Sequence, residues 1–329
     1  MRENILVVGG AGYIGSHMCK HLFNRGYQPI VLDNLVCGHR QAVKWGPFFE
    51  GSMRDAALLR KIFSDYPMAA VMHFAAFCYV GESVMEPAKY YENNVASTIA
   101  LLEVMLEKKV SKFIFSSSCA TYGEPTNIPI REDHPLKPIS PYGRTKLMVE
   151  QILEDFREAY GLESVSLRYF NAAGADPDGE LGEDHAPETH LIPLVLQTAL
   201  GQRPSIDIFG DDYPTKDGTC IRDYIHVEDL AQAHLIGLER LLGGEAGGQY
   251  NLGNGEGHSV KEVIEIARNI TGKPIPVRVV QRRKGDPAVL ISSSEKAIRH
   301  LGWRPRFPGL EAVVETAWNW HKTNPDGYK

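Results

Sequence analysis

The chain has 329 residues, of which 43% are hydrophobic and 23% are charged. These proportions are typical of a soluble globular protein with one large domain or two smaller ones. The formal net charge of -6 argues against a nucleic-acid-binding protein, whose binding face would be basic.

Two further features limit the class of protein. The five cysteines are odd in number and include no Cys-x-x-Cys pair, which argues against disulfides and zinc, and we predict no metal site. Residues 1–4 lead into a short apolar strand without a signal-peptide pattern, and no apolar run approaches the length of a membrane span. We therefore expect a cytoplasmic protein that acts away from membranes.

The chain begins with a strand, a glycine-rich turn and a helix. Residues 5–8 have the pattern of a buried strand, and Gly9, Gly12 and Gly15 follow. Because glycine has no side chain, such a turn lets a pyrophosphate approach the helix N-terminus, where free N–H groups favour negative charge. This order of elements favours a dinucleotide-binding turn over a glycine-rich surface turn.

A second predicted strand, residues 30–33, ends in a carboxylate that selects the cofactor. Asp33 lies about 20 residues after the glycine turn, where an acidic residue binds the adenosine ribose hydroxyls. The same charge would repel a 2′-phosphate, so the predicted cofactor is NAD rather than NADP. His39 and Arg40 lie nearby and leave NADP open.

The following segments alternate between strands and helices. Strands are predicted at 69–74, 112–117 and 164–169, and a helix begins near Pro87. Such alternation predicts a doubly wound parallel sheet of the Rossmann type, whose ligands bind beyond the carboxyl ends of the strands. The residues that should share this rim are Asp33, 73–76, 116–118 and 170–171.

Three residues, Ser118 at this rim and Tyr142 and Lys146 on the next helix, can carry acid–base chemistry. Apolar residues recur at helical spacing after Lys146, so Tyr142 and Lys146, four residues apart, share one helix face. A nearby lysine cation favours the phenolate and lowers the tyrosine pKa from about 10, so the pair can take a proton from an alcohol. Ser118 can hold the substrate oxygen and relay its proton to Tyr142.

The sequence changes in character after Asn171. A polar loop leads to a helix near 191–200, and the chain returns to the sheet near 222–226. Arginines in this part are either a solvated basic face or clamps for a diphosphate. We predict a dinucleotide-binding domain and a smaller α/β region. The first covers 1–171, with 220–252 returning to it, and the second covers 172–219 and 253–329.

The chain resembles the extended short-chain dehydrogenase/reductase family over essentially its full length. The glycine turn and the Tyr/Lys pair mark only the superfamily, whereas Phe-Gly-Asp-Asp-Tyr-Pro-Thr-Lys-Asp-Gly-Thr (209–219) is similar to its UDP-sugar 4-epimerases. The other motifs are Gly-Gly-Ala-Gly-Tyr-Ile-Gly-Ser-His (9–17), Leu-Asp-Asn-Leu (32–35), Val-Gly-Glu-Ser-Val (80–84), Tyr-Tyr-Glu-Asn-Asn (90–94), Phe-Ser-Ser-Ser (115–118), Ser-Pro-Tyr-Gly-Arg-Thr-Lys (140–146), Arg-Tyr-Phe-Asn (168–171), Arg-Asp-Tyr-Ile-His-Val (222–227) and Leu-Gly-Trp-Arg-Pro (301–305).

The resemblance implies a full set of site residues. The catalytic residues would be Tyr142, Lys146 and Ser118. The NAD-binding residues would be these three with Gly9, Gly12, Tyr13, Ile14, Gly15, Asp33, Asn34, Ser52, Met53, Phe74, Ala75, Ala76, Cys78, Asn93 and Phe170. The residues that bind the nucleotide sugar would be Ser118, Tyr142, Asn171, His190, Leu191, Phe209, Arg222, Arg283 and Asp286. The second region would then bind the UDP-sugar, and a homodimer is expected because relatives commonly form one.

Three positions depart from the family pattern. Ser52-Met53 stands where an aspartate and an aliphatic residue usually meet the adenine, which would loosen that contact. Cys78 replaces a lysine found near the cofactor in some members, which removes one local positive charge. His190 replaces an asparagine that often contacts the substrate phosphates, and it either donates one hydrogen bond there or is a plain surface residue.

The implied reaction is reversible inversion at C4 of UDP-glucose and UDP-galactose through a 4-keto sugar. One alternative is an epimerase for UDP-N-acetylhexosamines or UDP-pentoses, and Leu290, at a position that varies in size within the family, does not decide it. A 4,6-dehydratase needs an acid/base pair after the active-site serine, where this chain has Cys119-Ala120. A non-catalytic NAD-sensing protein would not need Ser118, Tyr142 and Lys146 together.

Overall fold

The computed structural model describes residues 2–283 and 286–329. Its centre is a seven-stranded parallel sheet in the order β11-β6-β5-β4-β1-β2-β3. These strands are β1 (Asn4–Val8), β2 (Gln28–Asp33), β3 (Phe48–Glu50), β4 (Met68–His73), β5 (Lys112–Ser116), β6 (Glu163–Tyr169) and β11 (Gly248–Leu252). The order reverses between β1 and β4, and ligands bind at such a switch point in open α/β sheets. The predicted doubly wound parallel sheet is confirmed.

Helices cover both faces of this sheet. One face packs on α1 (Tyr13–Arg25) and α8 (Val227–Leu242) through a core that includes Met18 and Leu230. The opposite face packs on α2 (Ala56–Asp65), α5 (Ser97–Glu107) and α6 (Pro141–Tyr160) through a core that includes Leu59 and Leu102. Strands buried on both faces explain the continuous apolar runs of β1 and β5.

Shorter elements complete the chain. The remaining helices are α3 (Val80–Met85), α4 (Pro87–Tyr90), α7 (Leu191–Ala199), α9 (Val260–Thr271) and α10 (Leu310–Thr323), with π-helical segments at Tyr91–Ala96 and Ala297–Leu301 and 3₁₀ turns at Arg40–Ala42 and Cys119–Thr121. The remaining strands are β7 (Asn171–Ala173), β8 (Ile206–Phe209), β9 (Ile221–Arg222), β10 (Tyr224–His226), β12 (His258–Ser259), β13 (Val277–Val280) and β14 (Val289–Leu290).

The second half of the chain builds three small sheets beside the large one. Strand β7 pairs with β10, β8 pairs with β13, and β9 lies between β12 and β14. Helices α7, α9 and α10 share a separate core that includes Val195, Val263 and Val313. The return of the chain to the large sheet, predicted near 222–226, is wrong in position, because β9 and β10 lie in two of the small sheets. The chain rejoins the large sheet at β11, which pairs with β6 from Val165 to Tyr169.

Most of the longer elements lie where the sequence places them, but several differ. The helix predicted from Pro87 is interrupted, because α4 passes into the π-helical segment before α5 begins. The sequence analysis missed β3 and α2, although Asp55 caps α2 by accepting two backbone hydrogen bonds at 3.0 Å. Within residues 2–283 and 286–329, no helix combines the length and apolar character needed to cross a membrane.

Candidate active site

Helix α6 presents Tyr142 and Lys146 at the carboxyl rim of the large sheet. Pro141 occupies its first position, and the Ser140 hydroxyl accepts a hydrogen bond from the Gly143 N–H at 3.1 Å, which fixes where the helix begins. A Cβ atom on Gly143 would lie 2.4 Å from the carbonyl oxygen of Ala120. The start of α6 therefore packs directly on the turn that follows Ser118.

Lys146 is a buried cation held by the end of β5. Its Nζ atom donates a 2.7 Å hydrogen bond to the carbonyl oxygen of Ser116 and lies 4.9 Å from the centroid of the Phe115 ring. Burial lowers the pKa of the Lys146 ammonium group to about 8. The lysine therefore titrates close to neutral pH.

Tyr142 is buried beside Lys146, and the Nζ atom lies 5.9 Å from the centroid of the tyrosine ring. Burial raises the pKa of Tyr142 well above its usual value, and Tyr169 adds to the shift, whereas a hydrogen bond with Ser118 lowers it. The lowered pKa expected from the Tyr/Lys spacing is thus not found in the chain alone. In the chain alone, Tyr142 is therefore a neutral phenol at neutral pH.

Ser118 lies in the turn between β5 and α6 and is also buried. Its hydroxyl accepts a hydrogen bond from the Ala120 N–H at 3.2 Å and caps the 3₁₀ turn Cys119–Thr121. Just before it, at the end of β5, the Ser116 hydroxyl lies 2.9 Å from the Tyr169 hydroxyl at the end of the neighbouring strand β6. The structure thus brings Ser118, Tyr142 and Lys146 together.

A buried ion pair between Glu150 and Arg168 adjoins this group and helps to fix it. The Glu150 carboxylate accepts a hydrogen bond from the Ser117 hydroxyl at 2.5 Å and another from Arg168 Nε at 2.9 Å. Arg168 also donates to the Tyr122 hydroxyl at 2.9 Å. The sequence analysis missed this pair, although Glu150 lies one helical turn after Lys146 and a lone carboxylate on a buried helix face is a usable signal.

The π-helical segment holds a second residue that the sequence analysis missed. Asn94 is buried, accepts a hydrogen bond from the Phe77 N–H at 2.9 Å and donates to the Phe77 carbonyl at 3.0 Å and to the Thr145 hydroxyl at 3.1 Å. It therefore ties the loop after β4 to α6. Extra residues that form π-helical turns often mark functional sites.

The glycine turn after β1 has no room for side chains and leaves the start of α1 accessible. Gly9 has φ +82°, and a Cβ atom there would lie 2.5 Å from the Ala75 nitrogen, while one on Gly15 would lie 2.1 Å from the Gly9 carbonyl oxygen. No side chain in the described part of the chain caps the first turn of α1. The N-terminus of α1 is thus open to a phosphate group.

Asp33 lies beside this turn at the end of β2. Its carboxylate accepts hydrogen bonds from the Ala11 N–H at 3.0 Å and the Leu35 N–H at 2.9 Å. Burial raises the pKa of the Asp33 carboxyl group, and the backbone hydrogen bonds oppose that shift. The carboxylate therefore faces the place where an adenosine ribose would lie beside the turn.

Most of the other predicted cofactor-binding residues follow strand ends, and some of their side chains form hydrogen bonds or pack in the core. The residues in these positions are Asn34 after β2, Ser52 and Met53 after β3, Phe74, Ala75, Ala76 and Cys78 after β4, and Phe170 after β6. Met53 packs in the hydrophobic core, with 5% of its side chain exposed. Tyr13 and Ile14 begin α1, and the Tyr13 hydroxyl donates to the Gly174 carbonyl at 2.7 Å. Asn93 donates to the Asn94 side chain at 2.9 Å.

The predicted nucleotide-sugar residues lie on several elements of the second region. Arg222 on β9 forms an ion pair with Asp286, and the Arg283 guanidinium lies 3.8 Å from the centroid of the Phe209 ring. Asn171 on β7 donates to the Asp223 carbonyl at 3.0 Å. The sequence analysis missed the role of Asp223, whose buried carboxylate joins the segments around Asn254 and Ser292.

The departures from the family pattern have distinct surroundings. Cys78 is exposed, and the Ser52 hydroxyl accepts a hydrogen bond from the Arg54 N–H at 3.2 Å. His190 immediately precedes Leu191, the first residue of α7, and its Nδ1 atom lies 2.9 Å from Glu188. Burial alone would lower the pKa of His190, but Glu183 and Glu188 raise it well above its usual value.

Together, the switch point of a doubly wound sheet, the open glycine turn and the Tyr142–Lys146–Ser118 group define a short-chain dehydrogenase/reductase type of site. The profile of the NAD dependent epimerase/dehydratase family matches residues 5–253. The chain belongs to this family.

Comparisons with individual proteins agree with this assignment. The chain is 59% identical to the UDP-glucose 4-epimerase of Halalkalibacterium halodurans over 98% of its own length and 97% of the relative. It is similar to a crystal structure of a UDP-glucose 4-epimerase with a TM-score of 0.97 and 53% identity, over 99% of this chain and 100% of that one. It also matches the UDP-glucose 4-epimerase from Brucella ovis in complex with NAD, with a TM-score of 0.94 and 50% identity over 96% and 97% of the two chains. The predicted resemblance is confirmed.

Proposed function

We propose that the chain interconverts UDP-glucose and UDP-galactose by inverting C4 of the hexose, with NAD as a bound cofactor. The observation that carries the proposal is the convergence of Tyr142, Lys146 and Ser118 beside the switch point. The chain's 59% identity to a named UDP-glucose 4-epimerase supports the same reaction. Nothing in the turn after Ser118 supplies the extra acid/base pair of a dehydratase, because Cys119 and Ala120 occupy it.

The described residues fit NAD. The glycine turn leaves no room for a Cβ atom at Gly9 or Gly15, and it exposes the N-terminus of α1 to a pyrophosphate. Asp33 provides the carboxylate for the ribose hydroxyls. When bound, NAD supplies the acceptor, and later the donor, of the hydride from the sugar carbon, together with a positively charged ring.

Residues of the chain itself carry out the proton transfer. Ser118 holds the C4 oxygen, and Tyr142 takes the proton that this oxygen loses as the 4-keto sugar forms. Burial makes Tyr142 a weak acid, so it acts as a base only when positive charge adjoins it. Lys146 supplies part of that charge from its fixed position on the Ser116 carbonyl. Tyr142 returns the proton when C4 is reduced from the opposite face.

The second region and the returning segment 220–252 hold the part of the substrate that does not react. Arg222 and Arg283 can bind the diphosphate, and the Phe209 ring under Arg283 offers an apolar face to the uracil. If binding is concentrated on the UDP group, the 4-keto hexose is free to rotate about its phosphate link. Rotation presents the other face of C4, which is the step that inverts its configuration.

The chain is organised in two parts that match the two ligands. We propose that 1–171 with 220–252 forms the NAD-binding domain and that 172–219 with 253–329 forms the UDP-sugar-binding region. The pairing of β11 with β6 supports the return of 220–252 to the first domain. A cytoplasmic location and a homodimer stay predictions.

The test uses protein purified without added cofactor. Acid release should yield about one NAD per chain, and UDP-galactose should be converted to UDP-glucose with no net change in the amount of NADH. UDP-N-acetylgalactosamine and UDP-arabinose are assayed in parallel, because Leu290, which packs against the cluster that contains Tyr122 and Phe170, does not decide between the sugars. A 4-keto-6-deoxy product would indicate a dehydratase, and bound NAD with no conversion of any sugar would indicate a sensor.

A further inference from the structure

The loop before α7 gathers two glutamates and two histidines. We call Glu183, His185, Glu188 and His190 the His–Glu cluster. Each residue offers one nitrogen or carboxylate oxygen, and these four atoms all lie within 4.8 Å of one another. The cluster shares no residue with the Tyr142–Lys146–Ser118 group. Imidazole nitrogen and carboxylate oxygen together are a donor set that suits divalent transition metals.

The distances within the cluster are close to those of a four-coordinate metal site. His185 Nδ1 lies 3.4 Å from Glu183 Oε1 and 3.6 Å from Glu188 Oε2. A tetrahedral Zn²⁺ with bonds of about 2.0–2.2 Å separates its ligands by roughly 3.3–3.6 Å. His190 Nδ1 is nearer, at 3.0 Å from Glu183 Oε1 and 2.9 Å from Oε1 of Glu188, the oxygen that does not face His185. A bound ion would widen the contact with Glu183 by about 0.5 Å and would take one of the two Glu188 oxygens.

The buried atoms of the cluster indicate a missing partner. His185 Nδ1 is inaccessible to solvent and has no hydrogen-bond partner among the described residues. The Glu183 and Glu188 side chains are only 5% and 6% exposed, and both direct an oxygen toward this nitrogen. Buried polar atoms without a bond are costly, and a metal ion between the four side chains would satisfy His185.

The surroundings hold the donors in place and leave a route to them. Glu188 accepts backbone hydrogen bonds from Thr189 and His190 at 2.7 and 2.8 Å, and the Tyr13 ring contacts the His185 ring edge to face. Such second contacts orient metal ligands. An open cavity of about 370 Å³ reaches Glu183 and Glu188 from the side of α10.

We propose that Glu183, His185, Glu188 and His190 bind one divalent transition-metal ion, for which Zn²⁺ is the best match. This proposal departs from the sequence prediction of no metal site, which rested on the number and spacing of the cysteines, whereas the cluster contains only histidine and glutamate. The ion would fix the loop between Gly182 and α7. The rival arrangement is a pair of imidazolium–carboxylate contacts with no ion, in which the histidines keep the protons that a metal would displace.

The first experiment measures metal binding by the whole protein without an affinity tag. Protein is stripped with a chelator, and Zn²⁺ is titrated against a competing chromophoric chelator. We expect one equivalent to bind with sub-micromolar affinity and to raise the thermal unfolding midpoint. Binding weaker than this, or no shift in the midpoint, would leave the ion-free arrangement as the answer and overturn the proposal.

Variants locate the ion. His185→Gln and Glu183→Gln should each weaken Zn²⁺ binding by more than about 100-fold, because each removes a direct ligand. His300→Gln, at an exposed histidine outside the cluster, is the matched control and should bind like the unaltered chain. Unaltered affinity in both cluster variants would refute the assignment.

X-ray absorption at the zinc edge keeps the test independent of how the variants fold. Zinc-loaded unaltered protein should show about four nitrogen or oxygen neighbours at about 2.0–2.2 Å, together with the outer-shell scattering of two imidazole rings. A sulfur neighbour at about 2.3 Å would place the ion on one of the free cysteines and overturn the proposal.

Discussion

Lys146 and Ser116 are joined by a 2.7 Å hydrogen bond from the ammonium group to the carbonyl oxygen at the end of β5. The lysine is thereby fixed to the sheet and approaches Tyr142 only as a neighbouring charge, 5.9 Å from the ring centroid. The sheet rather than the tyrosine sets the position of this charge. Any substitution at Lys146 will therefore change both the electrostatics of Tyr142 and the packing of α6 on β5.

Tyr142→Phe should abolish proton transfer while it preserves the fold. We expect kcat to fall by about 10²- to 10⁴-fold, the usual value of a positioned acid–base group. The assay is conversion of UDP-galactose, and NAD content and the circular dichroism spectrum are the controls for folding. An activity equal to that of the unaltered enzyme would remove Tyr142 from the mechanism.

Gly15→Ala should prevent the protein from binding NAD. The new Cβ atom would lie 2.1 Å from the Gly9 carbonyl oxygen, so the glycine turn must move. We expect the purified variant to contain little NAD by acid release and absorbance. Gly81→Ala is the matched control, because a Cβ atom there meets nothing within 4 Å, and it should retain one NAD per chain. Equal NAD content in both variants would contradict the role given to the turn.

The buried pair of Arg168 and Glu150 should matter more to stability than surface pairs do. Arg168→Met leaves the Glu150 carboxylate buried without its cation, which typically costs about 3–5 kcal/mol. Urea unfolding with NAD in excess gives the value. Arg25→Met, which removes one member of an exposed pair with Glu239, is the control and should change stability much less than Arg168→Met does. A similar loss in both variants would argue against the supporting role of Arg168.

His234 should make the fold sensitive to acid. Burial lowers the pKa of His234 to about 4 from its usual 6.5, so the folded protein keeps this side chain neutral. As pH falls from 6.5 to about 4, the unfolded chain gains a proton that the folded chain does not, and stability falls by about 1.4 kcal/mol per pH unit. His234→Phe should remove this one-proton slope from the pH dependence of the unfolding free energy, whereas exposed His300→Phe should not. An unchanged slope in His234→Phe would show that other groups carry the effect.

The sequence predicted those parts of the fold that repeat a strong local pattern. Strand β1, the glycine turn and β2 are recognisable because runs of three or four apolar residues lie directly before glycine or aspartate. Strands β9, β12 and β14 have two residues each, which is too short for any alternation, and their pairing depends on the buried Asp223. Such contacts join residues far apart in the chain, so no local window contains them.

The site was predictable to a similar degree. Tyr142 and Lys146 were found because helical spacing fixes their relation, and Ser118 because it follows a strand end. The raised pKa of Tyr142 does not follow from helical spacing, because it comes first from burial in the folded chain and then from the charge of Tyr169, which lies on another element. The Glu150–Arg168 pair joins α6 to β6, and spacing within either element does not reveal it.

The edge position of β11 has a consequence for synthesis of the protein. Until residues 248–252 leave the ribosome, β6 offers a row of unpaired N–H and C=O groups that another nascent chain can capture. The catalytic helix and its strands are complete long before that edge is covered. Chaperones that shield strand edges should therefore matter most during translation of the segment between β6 and β11.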